Sequence, residues 1–326
     1  MAHLRTITAL SAAALVAVSL SACGSESDAS EPGSQPPATS GGGAAGGAFP
    51  ATVKTSHGDV TIKSRPTKIV TLDDPSLDVA QSVGAPVVMA TPGQLQPGKP
   101  EPWLVGKYTG KYDASLMNKD FSPNVEKIAA LQPDLILSGA MSIKPEAYKQ
   151  LSTIAPVVGD LTPNDNWDAR VRQLATATGT TAKVPGVLAD VKKAYAATGV
   201  NLAGKTYQWL RFDGSSSSFS PGNGSWLEGY GMKPGNKQDN SMRARDVFSL
   251  ENLDQMNADV VYVWNYGGDP KKVEADPRFK TLPSVKKGTF VWSDPPLAFS
   301  VNTPGPNALK WAIARTQATL KKAQNS

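Results

Sequence analysis

Short apolar runs alternate with stretches of helical period over most of this chain, a pattern that predicts α/β architecture with mainly parallel sheets. Residues 52–62 (TVKTSHGDVTI) read as a hairpin turning at His57-Gly58-Asp59. KIVTL at 68–72 is a strand, residues 75–83 a helix closed by Gly84, and residues 87–89 a second strand. The spacing then predicts a helix over 126–131 that runs through Pro133-Asp134 into a strand at 135–138. A helix at 145–151 and a strand at 154–158 follow. Pro156 cannot donate to a ladder, which puts that strand at an edge.

Two longer helical stretches come next. Residues 168–178 place Val171, Leu174 and Ala175 at helical spacing and stop at Gly179. Residues 184–198 carry Val187, Leu188, Val191, Ala194 and Tyr195 on one face. Pro185 is tolerated in the first turn, where its missing N–H would have no helical partner. This stretch is predicted to cross between two lobes. Strand–helix alternation resumes at 205–212 (KTYQWLRF) and then echoes the first half. NVEKIAALQPDLIL (124–137) and SLENLDQMNADVVY (249–262) share a capping residue (Asn124, Ser249) and an acid two positions later (Glu126, Glu251). Each also has an Asp just before an apolar strand (Asp134, Asp259). Ile128 matches Leu253, Leu131 matches Met256 and Leu135 matches Val260, as in two related lobes.

The N-terminal end says where such a protein works. Residues 1–22 read as a secretory signal, with Arg5 as its basic start and an apolar stretch at 7–20 too short for a hydrocarbon core of about 30 Å. Leu20-Ser21-Ala22-Cys23 resembles the lipobox of bacterial lipoproteins, which implies a diacylglyceryl anchor on Cys23 at the extracytoplasmic face of the cell membrane. Cys23 is the only cysteine of the 326 residues, so an internal disulfide is excluded. Residues 23–48 hold little apolar surface and read as a flexible tether. The expected organisation is therefore a signal peptide at 1–22, a lipidated tether at 23–48, an N-terminal lobe at 49–183, a connecting helix at 184–199 and a C-terminal lobe at 200–326. The formal charge of +5 falls by one when the signal and its Arg5 are removed. The excess is scattered in singles and pairs, with no clustered stripe for nucleic acid.

Five segments carry a family resemblance: KIVTLDDPSLDVAQSVGAPVV, PNVEKIAALQPDLILSG, LSTIAPVV, SLENLDQMNADVVYVW and LPSVKKGTFVWSD. They resemble the periplasmic binding proteins of siderophore, haem and vitamin B12 importers, with PNVEKIAALQPDLILSG the most specific. The resemblance spans nearly all of residues 49–320. It implies two mixed, mainly parallel α/β lobes joined by a single long helix (a class III substrate-binding protein), with ligand in a shallow interlobe cleft. It also implies a monomer that delivers its ligand to an ATP-driven (ABC) permease. One acid on each lobe would dock to that permease, by position Glu126 and Glu251. As helix N-terminal acids, both also stabilise locally by about 0.3–1 kcal/mol.

Loops beyond the carboxyl ends of strands are where α/β sheets meet ligands. That rule selects residues 73–75, 139–143, 211–220, 264–266 and 292–294. The ligand-binding candidates are Trp103, Arg211, Arg243, Arg245, Trp264, Tyr266 and Trp292. Guanidinium forks pair with the oxygens of a chelate, and aromatic faces give contact area with few rotors to freeze. A ferric siderophore is the expected ligand, with haem or cobalamin the alternative on the same fold. Its iron arrives already wrapped, so no cofactor and no protein metal ligand is expected. After the signal, His57 is the sole histidine, too little for a bare divalent metal site. The loop at 139–145 offers only Lys144 and no Arg, which weakens the case for a strongly anionic ligand shared equally by both lobes. An envelope hydrolase or a structural lipoprotein is the rival class. The serines at 215–218 stand in no G-x-S-x-G elbow, and no GxxxxGK[ST] loop occurs.

Overall fold

A hairpin of β1 (Ala51–Thr55) and β2 (Gly58–Ile62) comes first, turning at Ser56-His57, one residue earlier than the sequence pattern suggests. The structure is a computed structural model that describes residues 47–93, 95, 99–138, 143–159, 167–241 and 247–326. The first lobe then runs β3 (Ile69–Thr71), α1 (Asp74–Ser82), β4 (Val87–Ala90), β5 (Lys111–Tyr112), α2 (Val125–Ala130), β6 (Leu135–Ser138), α3 (Pro145–Ser152), β7 (Val157–Gly159) and α4 (Trp167–Thr178). Its sheet has the order β5-β4-β3-β6-β7 with every pair parallel, and the strand holding Val157 lies at the edge.

Helix α5 (Val184–Ala197) leads to the second lobe. There follow β8 (Thr206–Asp213), β9 (Ser218–Pro221), β10 (Lys233–Pro234), β11 (Phe248–Ser249), β12 (Val260–Tyr266), α6 (Pro270–Glu274), α7 (Pro283–Lys286), β13 (Phe290–Ser293), α8 (Pro295–Asn302) and α9 (Pro306–Gln324). This sheet is mixed: β8, β12 and β13 pair in parallel, while β9 joins β8 antiparallel. No described helix is long and apolar enough to cross a membrane.

Each sheet is buried on both faces, so its strands read as continuous apolar runs. Ile69, Leu135, Leu137 and Val158 face a core shared with α1 and α4, whereas Val70, Leu72, Ile136 and Val157 face Ile128 of α2 and Leu151 of α3. In the second lobe Tyr207, Trp209, Val260 and Tyr262 face one core, and Leu210, Phe212, Val261 and Val263 the other. Helix α5 joins the lobes physically: Val184 and Val187 lie in a first-lobe core and Val191 in a second-lobe core. Helix α9 does the same from the far end of the chain, with Ala308 in the first and Leu309 to Ala323 in the second.

The internal repeat has a structural counterpart. The Asp134 carboxylate accepts the Thr67 N–H at 2.7 Å, the Thr67 hydroxyl at 2.9 Å and the Lys68 N–H at 2.8 Å, fixing the entry to β3 beside β6. Asp259 does this for β12 and β8, accepting the Thr206 N–H at 2.9 Å, its hydroxyl at 3.0 Å and the Lys287 ammonium at 2.8 Å. Burial would raise the Asp259 pKa, but the bonds from Lys287 and Thr206 outweigh it and hold the carboxyl below its usual range. The two helices differ. Asn124 caps α2 through the Lys127 N–H, whereas the segment Leu250–Gln255 is a 3-10 turn whose Ser249 makes no side-chain cap.

Candidate functional site

The strand order of the first sheet reverses around β3, and a cavity of about 710 Å³ opens at the carboxyl ends of its strands, as the switch-point rule requires. Leu72, Asp73 and Asp74 after β3, Thr91 to Gly93 after β4 and Ser138 at the end of β6 form its floor. One wall is the loop from Met117 to Pro123. That loop is pinned by the Asn118 N–H on the Ser122 carbonyl at 2.8 Å and by a bridge between Met117 and Pro123. Its tip holds Phe121 at φ 62°, a residue 61% exposed beside the cavity. A bulky residue with positive φ is rare and persists only where the surrounding turn enforces it. Ile143, Lys144 and Ala147 face it, and Phe299 of α8 completes the lining.

Phe299 links this cavity to the second lobe. Its ring meets Trp264 at 5.8 Å, and Trp264 meets Tyr266 at 5.2 Å, both edge to face. The Arg211 guanidinium lies 3.9 Å over the Tyr266 ring. Parallel pairing of β8 with β12 sets Arg211 opposite Trp264 and Asp213 opposite Tyr266, so these four side chains share one face of the sheet. Asp213 does little to neutralise the arginine. Its carboxylate is held below the usual range first by the Ser215 hydroxyl and amide, and its approach to Arg211 is 3.4 Å in a half-buried pair open to solvent. The arginine therefore keeps most of its charge for a ligand.

The candidates thus separate into groups. Arg211, Trp264 and Tyr266 come together beside the cavity. Trp103 is 4% exposed and packs in the first-lobe core against Trp311 of α9, at 5.7 Å, so it holds a loop to a helix and does not line the cavity. Trp292 points to the opposite face of its sheet, packed on Phe212 and Phe290, with its indole N–H on Glu274 at 2.8 Å. Arg243, Arg245 and Cys23 lie outside the described residues. Phe121 and Phe299 were not legible as site residues: neither ends a strand, and only the folded loop and α8 bring them to the cavity. The serine run is a turn, with Ser215 bonded to Asp213 and Ser216 to Ser218. His57 stacks on Tyr148 at 3.9 Å. Among the described residues no group of three or more His, Cys, Asp or Glu could hold a metal ion.

Both acids of the repeat, Glu126 and Glu251, are exposed. Glu126 lies in the first turn of α2, directly after Pro123 of the cavity wall. Glu251 follows β11, where the Leu250 N–H bonds the Ser217 carbonyl in the turn beyond the carboxyl end of β8. Arg278 secures that segment by donating to the carbonyls of Leu250, at 3.2 Å, and Glu251.

Known proteins share this construction. The profile of the family described as periplasmic binding protein matches residues 78–297. The "Probable siderophore-binding lipoprotein YfiY" of Bacillus subtilis is 28% identical over 258 residues, covering 73% of this chain and 78% of its own. Among solved structures, the iron uptake ABC transporter substrate-binding protein PiaA from Streptococcus pneumoniae superposes with a TM-score of 0.69 at 21% identity. That match covers 84% of this chain and 100% of that one. SirA of Staphylococcus aureus, complexed with staphyloferrin B, gives 0.65 at 20% identity over 83% of this chain and 98% of that one.

Proposed function

Because the chain belongs to the periplasmic binding protein family, we propose that it captures a ferric siderophore in the interlobe cleft and hands it to an ABC permease for iron uptake. The observation that carries this reading is the continuity of the cavity of about 710 Å³ with the Phe299–Trp264–Tyr266–Arg211 group. A cavity of that size holds a ligand of several hundred daltons. Aromatic faces suit its greasy body, and a guanidinium suits the oxygens that wrap the iron. The name of the Bacillus relative and the staphyloferrin complex of the Staphylococcus structure favour an iron chelate as ligand.

In this reading residues 1–22 are a signal peptide and Cys23 carries the lipid. Residues 23–48 are the tether, and the lobes at 49–183 and 200–326 are joined through 184–199. The protein works as a monomer outside the membrane, and the tether keeps it at high effective concentration near its permease. A two-chain lipid on Cys23 makes that mooring durable.

Tryptophan fluorescence tests the ligand class, since Trp264 borders the site. Titration with ferric hydroxamate, catecholate and citrate chelates, haem and cobalamin should give saturable quenching by an iron chelate. Quenching by haem or cobalamin alone would overturn the reading. Glu126 and Glu251 serve as the permease contacts, one per lobe. Changing both to Ala should cut uptake of the iron chelate about tenfold or more in whole cells, as when charged interface partners are removed. Binding to the purified protein should hold within about twofold, because exposed helix-end acids contribute little to the fold. A parallel loss of affinity would instead place them in the site.

A further inference from the structure

The wall loop of the cavity is held tightly around one exposed ring. Leu116, buried in the core, anchors its start, and the Asn124 N–H closes its base on the Leu116 carbonyl at 2.8 Å. Inside the loop the Phe121 N–H bonds the Asn118 carbonyl at 3.0 Å. The Asp120 carboxylate takes the Ser122 N–H at 3.1 Å and the Ser122 hydroxyl at 2.7 Å. The Asn118 side-chain amide donates to that hydroxyl at 3.0 Å. Together these bonds keep Phe121 in the left-handed region, where a Cβ crowds the backbone. The other described non-glycine residues with positive φ, Gln132, Ser217 and Lys237, are all polar. Phe121 gains no compensating burial, since it stands outside both cores of the first lobe. Glycine would relieve the backbone, and a polar side chain would suit the solvent. A large apolar side chain held against both preferences beside a cavity marks a position kept for the ligand.

We propose that Phe121 is a specificity-determining residue of this site: its preset ring stacks on an aryl arm of the chelate, so that ferric complexes of catecholate or phenolate donors are favoured over those of aliphatic hydroxamates. The inference rests on the cavity being the siderophore site. Leu72, Met117 and Ile143 line the cavity with aliphatic side chains, which attract any greasy body alike. Discrimination therefore falls to the two rings of the lining, Phe121 and Phe299. An aryl arm beside them extends the edge-to-face run from Phe299 through Trp264 to Tyr266. Because the turn already fixes the Phe121 backbone, little further freedom is lost when the ligand arrives, and the contact adds more of its energy to affinity. The donor oxygens of the arm then meet the Arg211 guanidinium at the far end of that run.

The probes are ferric azotochelin, a bis-catecholate, and ferrioxamine B, a tris-hydroxamate with no aryl group. Calorimetric titration of the full chain should show the catecholate binding about tenfold or more tighter. Phe121→Ala should weaken catecholate binding about tenfold and leave the hydroxamate within about twofold. Phe121→Tyr should keep the preference and Phe121→Leu should lose it, which separates a ring from mere bulk. Phe121→Gly reads the backbone strain by itself: the melting temperature should rise by about 1–3 °C while the preference disappears. A hydroxamate bound as tightly as the catecholate, an equal change for both chelates in Phe121→Ala, or a lower melting temperature in Phe121→Gly overturns this inference and leaves the siderophore function standing. Failure of every ferric chelate to bind overturns both.

Discussion

Asp78→Ala is expected to destabilise the protein by about 3 kcal/mol and to lower its melting temperature by roughly 5–10 °C. Asp78 is fully buried in α1, yet it serves the far end of the chain. Its carboxyl accepts the Asn307 N–H at 3.0 Å, the Asn307 amide at 2.8 Å and the Ala308 N–H at 2.8 Å. These are amides in the first turn of α9, whose own cap, Gly305, has no side chain to offer. A Cβ at Gly305 would lie 2.5 Å from the Asp78 Cγ, so the glycine is what lets a residue of another helix act as the cap. Burial raises the Asp78 pKa, and the bonds from Ala308, Asn307 and Ser82 offset only part of the rise. Removing the carboxyl leaves buried donors unpaired at the seam where α1 meets α9. Thermal and urea melts of Asp78→Ala and Asp78→Asn check it, the asparagine losing less because it keeps one acceptor. A melting temperature unchanged for the alanine variant would mean the seam is held by apolar packing alone.

Arg211→Ala should weaken binding of the cognate ferric chelate about 30-fold to 100-fold, a loss of about 2–3 kcal/mol. The guanidinium is stacked on Tyr266 and only loosely paired with Asp213, so it is pre-oriented and still charged. Arg211→Lys should recover little, since an ammonium can neither fork onto two oxygens nor stack on the ring in the same way. The melting temperature should stay within about 1 °C, because a long, solvent-accessible ion pair contributes little to folding. Calorimetric titration of the three proteins with one ferric chelate decides it. Equal affinities would move the ligand away from the second lobe.

Much of this fold is legible from periodicity. Strands of four or five apolar residues set between helices left one sensible arrangement, and the repeated Asp before the strand proved to do the same work in each half, at Thr67 and at Thr206. Helix α9 was the largest omission. Leu309, Ala312, Ile313, Thr316, Leu320 and Ala323 follow helical spacing and are buried, a signal present but undrawn beside the more obvious run at 184–198. Strands β10 and β11 carry only two residues each, and β9 alternates Ser218 and Ser220 with Phe219 and Pro221, so no apolar run shows in any of them.

The site was harder. Arg211, Trp264 and Tyr266 follow from the rule that sites lie at the carboxyl ends of strands, since adjacent parallel strands in register bring them together. Trp292 satisfies the same rule and fails it in space, because a side chain's face is set by register parity: its cross-strand neighbour is Val263, which faces the other core. Trp103 shows that an aromatic in a polar loop can serve packing. Asp74 lies in the segment 73–75 that the same rule selects, and the folded cavity shows it as a buried carboxyl in the lining.

The central claim is that a ferric chelate sits between the first-lobe cavity and the Arg211 face. Anomalous scattering at the iron edge, from a crystal of the protein grown with a chelate that quenches its fluorescence, tests this most directly. The account predicts one strong iron peak, bounded by Phe121 and Phe299 on one side and by Arg211 and Tyr266 on the other. An iron peak elsewhere on the surface, or a crystal with the chelate present in solution and no iron on the protein, would contradict it.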